Sequence, residues 1–266
     1  MPERTRHQTI LHALDREGRV HVAGLAERLG VSHETIRRDL SALDEAGRLR
    51  RVHGGAVLFR PDEEQPIVIR SRIKPREKAH IAAVAREMTE EGMSIFIDTG
   101  STALAFARTL FDARDLTVIT NSLDIARMLA TAPGVSTKVT PGLVRANDNA
   151  LVGGDTVEFV RRFVFDIVFM GIAACDPEFG WMDYSDEESQ LRRNLIKQTR
   201  HPVMIADDHK FGRHASIRTF DITTKLTVVT NRPVQQPFER IFEDASVDVR
   251  HRLKGVDDQS VRDNAP

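Results

Sequence analysis

The sequence lacks several things that would each have named a class. It has one cysteine, Cys175, so it closes no internal disulfide, which excludes a disulfide-stapled scaffold and suits a reducing cytoplasm. No apolar run approaches the roughly 20 residues that cross a bilayer, and the opening residues MPERTRHQ lack a signal-peptide core. A cytoplasmic protein with no membrane partner is expected. The ten histidines fall into no HxxxH or CxxC type of spacing, so no metal site and no cofactor are expected. There is no internal repeat and no low-complexity tract.

What is present is length enough for two domains: 266 residues, 41% hydrophobic and 29% charged. Charge is unevenly spread. Residues 1–60 carry 11 Arg, no Lys and 8 acidic residues, a surplus of +3 against a chain total of −1, which leaves −4 on the remainder. A basic amino-terminal part on an acidic remainder fits a polyanionic partner for the first part alone.

The stretch from Val20 to Ala56 organises that first part. Val22, Leu25, Ala26 and Leu29 recur at helical spacing, and Gly30 ends the helix. Ser32 can cap a second helix, whose Ile36, Leu40 and Leu43 form one apolar stripe. His33, Glu34, Arg37 and Arg38 fall off the stripe. Two helices around a tight turn, with arginines on the outer face of the second, predict a helix-turn-helix. Arg48, Arg50 and Arg51 then flank Leu49 and Val52 before His53 and two glycines, predicting a strand and a wing. A plain basic surface would account for one Arg-Arg pair, but not for the whole ordered pattern. Ser32, His33, Thr35, Arg37 and Arg38 on the second helix, with Arg50, Arg51 and His53 on the wing, are the expected contacts to double-stranded operator DNA. Arginine is best placed among them, because its fork matches guanine or phosphate.

Residues 1–57 are therefore expected as a winged helix-turn-helix, braced by a first helix over 4–17. Residues 58–75, with Pro61, Pro66 and an acidic run, are expected as a linker. Residues 76–255 are expected as a larger effector-binding and oligomerisation domain, and 256–266 as a disordered tail. In the larger domain strands and helices alternate: strands at 94–98, 116–120, 137–140, 163–171, 202–206 and 226–230, helices at 102–111, 123–130 and 185–199. Continuous apolar strands separated by helices predict an α/β fold with a mostly parallel sheet covered on both faces.

Ligands in such sheets bind beyond the carboxyl ends of the strands. Asp98-Thr99-Gly100-Ser101-Thr102 lies at one such end. Its hydroxyls and the free N–H groups of the following helix make an anion cradle, although a plain capping turn has the same sequence. It is neither a Walker loop nor GxGxxG. Thr120-Asn121-Ser122, Gly171 to Asp176 and the DDHKFGR loop carrying Lys210 follow other strands. Singly, Lys210 reads as a solvated loop lysine and Asn121 as a turn residue; together at one edge they point to a phosphorylated ligand.

TIRRDL and HGGA in the first domain, with FIDTGST, VITNS and DHKFGR in the second, resemble the DeoR-type bacterial transcription regulators over nearly the whole chain, and the glycerol-3-phosphate repressor subgroup most strongly. The resemblance implies a sensor domain similar to sugar-phosphate isomerases of the ribose-5-phosphate type. It implies a phosphorylated sugar or polyol effector, with Asp98, Thr99, Gly100, Ser101, Thr102, Asn121, Glu188 and Lys210 lining its site. The chain departs from the subgroup at Arg192-Arg193, His209 and Pro141–Leu143, which bears on the effector's identity rather than its class.

The expectation is a repressor of a carbohydrate or polyol catabolic operon that acts as a homo-oligomer, dimer or tetramer. The rival is an isomerase-like enzyme using Asp176, Glu178 and Lys210; a transcriptional activator is a third reading. Cys175 reads as a small buried apolar side chain rather than a redox sensor.

Overall fold

The amino-terminal unit is built on α1 (Glu3–Glu17), β1 (Arg19–His21), α2 (Val22–Leu29), α3 (His33–Glu45), β2 (Leu49–Val52) and β3 (Gly55–Leu58). It belongs to a computed structural model that describes residues 3–45, 48–58 and 64–253. Ser32 caps α3 as its sequence predicts, its hydroxyl accepting from Thr35 N at 3.1 Å. The predicted stripe is the core: Ile36, Leu40 and Leu43 pack with Ile10, Leu14, Leu25 and Leu49. Truncating one such buried aliphatic to alanine costs about 2–5 kcal/mol.

The wing is a three-stranded sheet in the order β1-β3-β2. Its first strand, Arg19–His21, is absent from the sequence reading, because three residues are too few to display a period. The HGGA motif has a steric explanation here. Gly54 turns the chain at φ +78°, and a Cβ on Gly55 would lie 1.9 Å from Val20 O on the neighbouring strand.

Contacts divide the chain into two units at Glu64. The second unit begins inside the expected linker. Glu64 and Gln65 are already bonded to it, and α4 (Ile67–Arg70) follows. Pro66 is the N-cap of this short helix instead of extending the linker, its carbonyl accepting from Ile69 N and Arg70 N at 3.0 and 3.1 Å. The rest of the expected linker, 59–63, and the expected disordered tail, 256–266, lie outside the described residues.

The remaining elements are α5 (Pro75–Arg86), β4 (Ser94–Ile97), α6 (Ser101–Arg108), β5 (Leu116–Thr120), α7 (Leu123–Leu129), β6 (Val135–Val139), β7 (Leu143–Arg145), β8 (Ala150–Val152), α8 (Gly154–Val160), β9 (Phe165–Met170), β10 (Ala174–Asp176), β11 (Gly180–Asp183), α9 (Asp186–Leu195), β12 (Thr199–Ile205), β13 (Ile217–Phe220), β14 (Thr227–Val229), α10 (Phe238–Asp244) and β15 (Asp248–Arg250). Seven strands pair in parallel in the order β15-β14-β12-β9-β4-β5-β6.

Alternate residues of each strand serve opposite faces. Ile95, Ile97, Val118 and Phe169 pack under α5, α6 and α7, with Ile81, Phe106 and Ile125. Phe96, Val168, Met170 and Met204 pack on the other face with Leu191, Phe242 and Trp181. Both faces are dry, which is why these strands read as unbroken apolar runs. The helix expected over 185–199 stops at Leu195; residues 196–198 tighten into a 3-10 turn and Thr199 enters β12.

Candidate functional site

The exposed side of α3 carries the basic surface. His33, Arg37 and Arg38 are exposed, and Glu34 lies 3.5 Å from Arg37 and 3.9 Å from Arg38. Arg51 and His53, also exposed, line one cleft with Arg37, Leu40 and the wing glycines. Arg51 Nη1 donates to Ser41 Oγ at 2.6 Å, so the wing is fastened to α3. Ser32 and Thr35 are engaged in the cap, with their hydroxyls 2.9 Å apart. Arg50 lies on β2, and its side chain is outside the described part. Asp39, next to the two arginines, points inward and accepts from Arg6 and from His7 of α1. Burial alone would push its carboxyl up; the bonds from Arg6 and His7 outweigh burial and hold it below the usual carboxylate range.

In the second unit the loops foreseen from sequence converge at the carboxyl edge of the parallel sheet. Gly100 has φ +131°, a conformation that favours glycine, and the space above it is open. Thr99, Ser101 and Thr102 are buried beside it, at the start of α6. Asn121 follows β5; it is 1% exposed and its Oδ1 has no hydrogen-bond partner among the described residues. Thr140 and Thr230, after β6 and β14, likewise have unpartnered buried hydroxyls. Lys210 sits on a 3-10 turn after β12 that Asp207 caps, accepting from His209 N at 3.0 Å. Lys210 makes no ion pair within 4.0 Å among the described residues, and burial pushes its pKa down against the pull of Glu64 and Asp207.

Two arginines that sequence reasoning did not place in the site organise its floor. Arg192 of α9 donates to Asp98 Oδ2 at 2.7 Å and to Asp183, and stands 3.8 Å from Glu188. Arg145, on the β7–β8 hairpin, donates to both oxygens of Asp148 at 2.9 and 2.6 Å and to Glu188 at 2.6 Å. Thr99 Oγ1 reaches Asp148 Oδ2 at 3.4 Å, so the hairpin is tied to the anion loop. Asp98 is thus committed on both oxygens, to Arg192 and to Thr99 N at 2.8 Å, rather than free for a ligand hydroxyl. Burial raises the Asp98 and Asp183 carboxyls despite Arg192, whereas at Glu188 the two arginines outweigh burial and lower it. A signal for Arg192 exists in the sequence: Glu188 and Arg192 are four apart on one helix face whose neighbours Leu191 and Leu195 are buried. Nothing local marks Arg145 or Asp148.

The residues cast as acid and base for an enzyme have other occupations. Asp176 Oδ1 accepts from the N–H groups of Glu178 and Phe179, closing a turn, and Glu178 is exposed. Cys175 is fully buried, and burial pushes its thiol up. Asp207, Asp208 and His209 cluster closely enough to suggest a cation, but Lys74 and Arg232 are already paired with Asp208.

Comparison with known proteins agrees with this division. The DeoR-like helix-turn-helix domain matches residues 6–61 and the DeoR C terminal sensor domain matches residues 73–232. The chain belongs to the DeoR family. The regulator is 31% identical to the glycerol-3-phosphate regulon repressor of Escherichia coli over 88% of this chain and 92% of the relative. It is 34% identical to the HTH-type transcriptional regulator GolR of Listeria innocua, over 92% and 97%. Among solved structures, ribose 5-phosphate isomerase A from Methanocaldococcus jannaschii aligns at 19% identity and TM-score 0.38, over 52% of this chain and 55% of that one. Membership makes this a DNA-binding transcription regulator with a small-molecule sensor domain, not an enzyme, and no described helix is long and apolar enough to cross a membrane.

Proposed function

We propose that this regulator represses its operon by holding operator DNA with α3 and the wing, and that a phosphorylated sugar or polyol at the carboxyl edge of the sensor sheet releases it. Arg37, Arg38, Arg51 and His53 are the exposed groups on the DNA-facing side, with His33 at the start of the helix. The observation that carries the sensor reading is the meeting of the Thr99–Thr102 loop, Lys210 and the unpartnered Asn121 Oδ1 at one sheet edge. Free N–H groups at a helix start and a lysine with no ion pair within 4.0 Å among the described residues suit a phosphate, while an unsatisfied buried amide oxygen suits a ligand hydroxyl. Relatives named for the glycerol-3-phosphate regulon make a three-carbon polyol phosphate the first compound to try.

A homo-oligomer completes the reading, since one helix-turn-helix reads only a few base pairs and two-fold symmetry doubles the site. The setting is the cytoplasm, where both DNA and phosphorylated intermediates are found. The test is a melting-temperature screen of sugar and polyol phosphates followed by operator release by each hit. A ligand selective for one state must move stability and DNA affinity together. A panel in which no phosphate ester does both would refute the proposal.

A further inference from the structure

Glu64 opens the second unit, on the segment that arrives from the DNA-binding unit. Its Oε1 lies 2.7 Å from Arg70 Nη1. The segment is tied to the edge of the effector site at several points. Asn147 Nδ2 donates to Glu64 O at 2.8 Å, and Ile67 N donates to Asn147 O at 3.0 Å. Arg70 stands 4.0 Å from Asp148, the carboxylate that Thr99 reaches. Lys74 pairs with Asp208 at 3.2 Å, two residues from Lys210, and α4 packs on α6. Two cations at this corner are incompletely satisfied. Arg70 Nη2 is buried without a hydrogen-bond partner among the described residues, and Lys210 has no ion pair there. Of the charges around Lys210, Glu64 favours its ammonium form most.

We propose that Glu64 is an internal stand-in for the effector's anion: its carboxylate neutralises the Arg70–Lys210 corner while the regulator is on DNA, and a phosphate monoester displaces it. This rests on the phosphate-sensor reading above. A phosphate brings three acceptor oxygens where the carboxylate brings two, one more than Glu64 can offer this cationic corner. Glu64 is also a poorly held anion: partial burial pushes its carboxyl up more than Arg70 and Lys210 pull it down. Once displaced, Glu64 draws its segment away from Asn147. Effector occupancy is thereby read by the segment that carries the DNA-binding unit.

The experiment is calorimetric titration of the full-length wild type and Glu64→Gln with glycerol 3-phosphate and with inorganic phosphate. It is joined by hydrogen exchange of amides 64–73 in the wild type. With the competing carboxylate gone, Glu64→Gln should bind glycerol 3-phosphate about fivefold more tightly or better, yet release less operator DNA per ligand bound. Amides 64–73 should lose protection when the wild type binds. Binding by Glu64→Gln alone also supports displacement. Equal affinities, or unchanged protection on binding, overturn the displacement and leave the phosphate sensor standing; a panel of sugar and polyol phosphates none of which either protein binds overturns both.

Discussion

Arg192 Nε donates to Asp98 Oδ2 at 2.7 Å, joining α9 to the end of β4 with both side chains at most 4% exposed. The same guanidinium meets Asp183 and stands near Glu188, so one cation faces three buried carboxylates, of which Glu188 is shared with Arg145. A buried ion pair adds little over an apolar pair of equal volume, but removing one member leaves uncompensated charge. Arg192→Leu should therefore cost about 3–5 kcal/mol, lowering the denaturant midpoint of the sensor unit. A midpoint within error of wild type would mean that the carboxylates are held neutral without it.

Arg37→Ala and Arg38→Ala should each weaken operator binding with unchanged circular dichroism. A lost base contact costs about 1–3 kcal/mol and relaxes sequence preference at one position. A lost phosphate contact weakens all DNA alike and flattens the salt dependence. Salt-dependent titrations on operator and random DNA separate the two, and normal affinity in both variants would place the recognition face elsewhere.

Asp39 gives the DNA-binding unit an acid-sensitive anchor. Its folded pKa is depressed, so its contribution is complete above the unfolded value of about 3.9 and disappears as pH falls through the lower folded value. Asp39→Asn should melt well below wild type near neutrality, with the gap closing below about pH 4. A pH-independent gap would assign the loss to packing rather than to the Arg6 and His7 bonds.

Gly55→Ala should damage the wing more than a surface change does, because the new Cβ falls on Val20 O and backbone must shift. A loss of roughly 2 kcal/mol or more is expected, with operator affinity falling alongside. Wild-type stability in this variant would contradict the close pairing of β1 with β3.

These cases mark what sequence can disclose. The α3 stripe, the Ser32 cap and the apolar strands were legible because periodicity and capping are local. The anion loop was legible as a loop, since Gly100 and its hydroxyls sit between a strand and a helix. Arg145, Asp148 and Arg70 were not, because their roles come from a hairpin and a four-residue helix folded back over the sheet edge. From sequence alone Asp98 is available to line the ligand site, because Arg192, 94 residues away, gives no local sign of reaching it. The short strands β10, β11 and β13 lack the unbroken apolar run that marks the similarly short β4, although they pack Trp181 against the core.

The most direct measurement is calorimetric titration of wild type and Lys210→Ala with glycerol 3-phosphate and with glycerol. The account predicts that the wild type binds the phosphate ester and not glycerol. Lys210→Ala should lose about tenfold or more in affinity for the ester while keeping its affinity for operator DNA, a repressor that resists induction. Equal binding of glycerol and its phosphate by the wild type would reduce the Thr99–Thr102 loop to a helix cap and contradict the account.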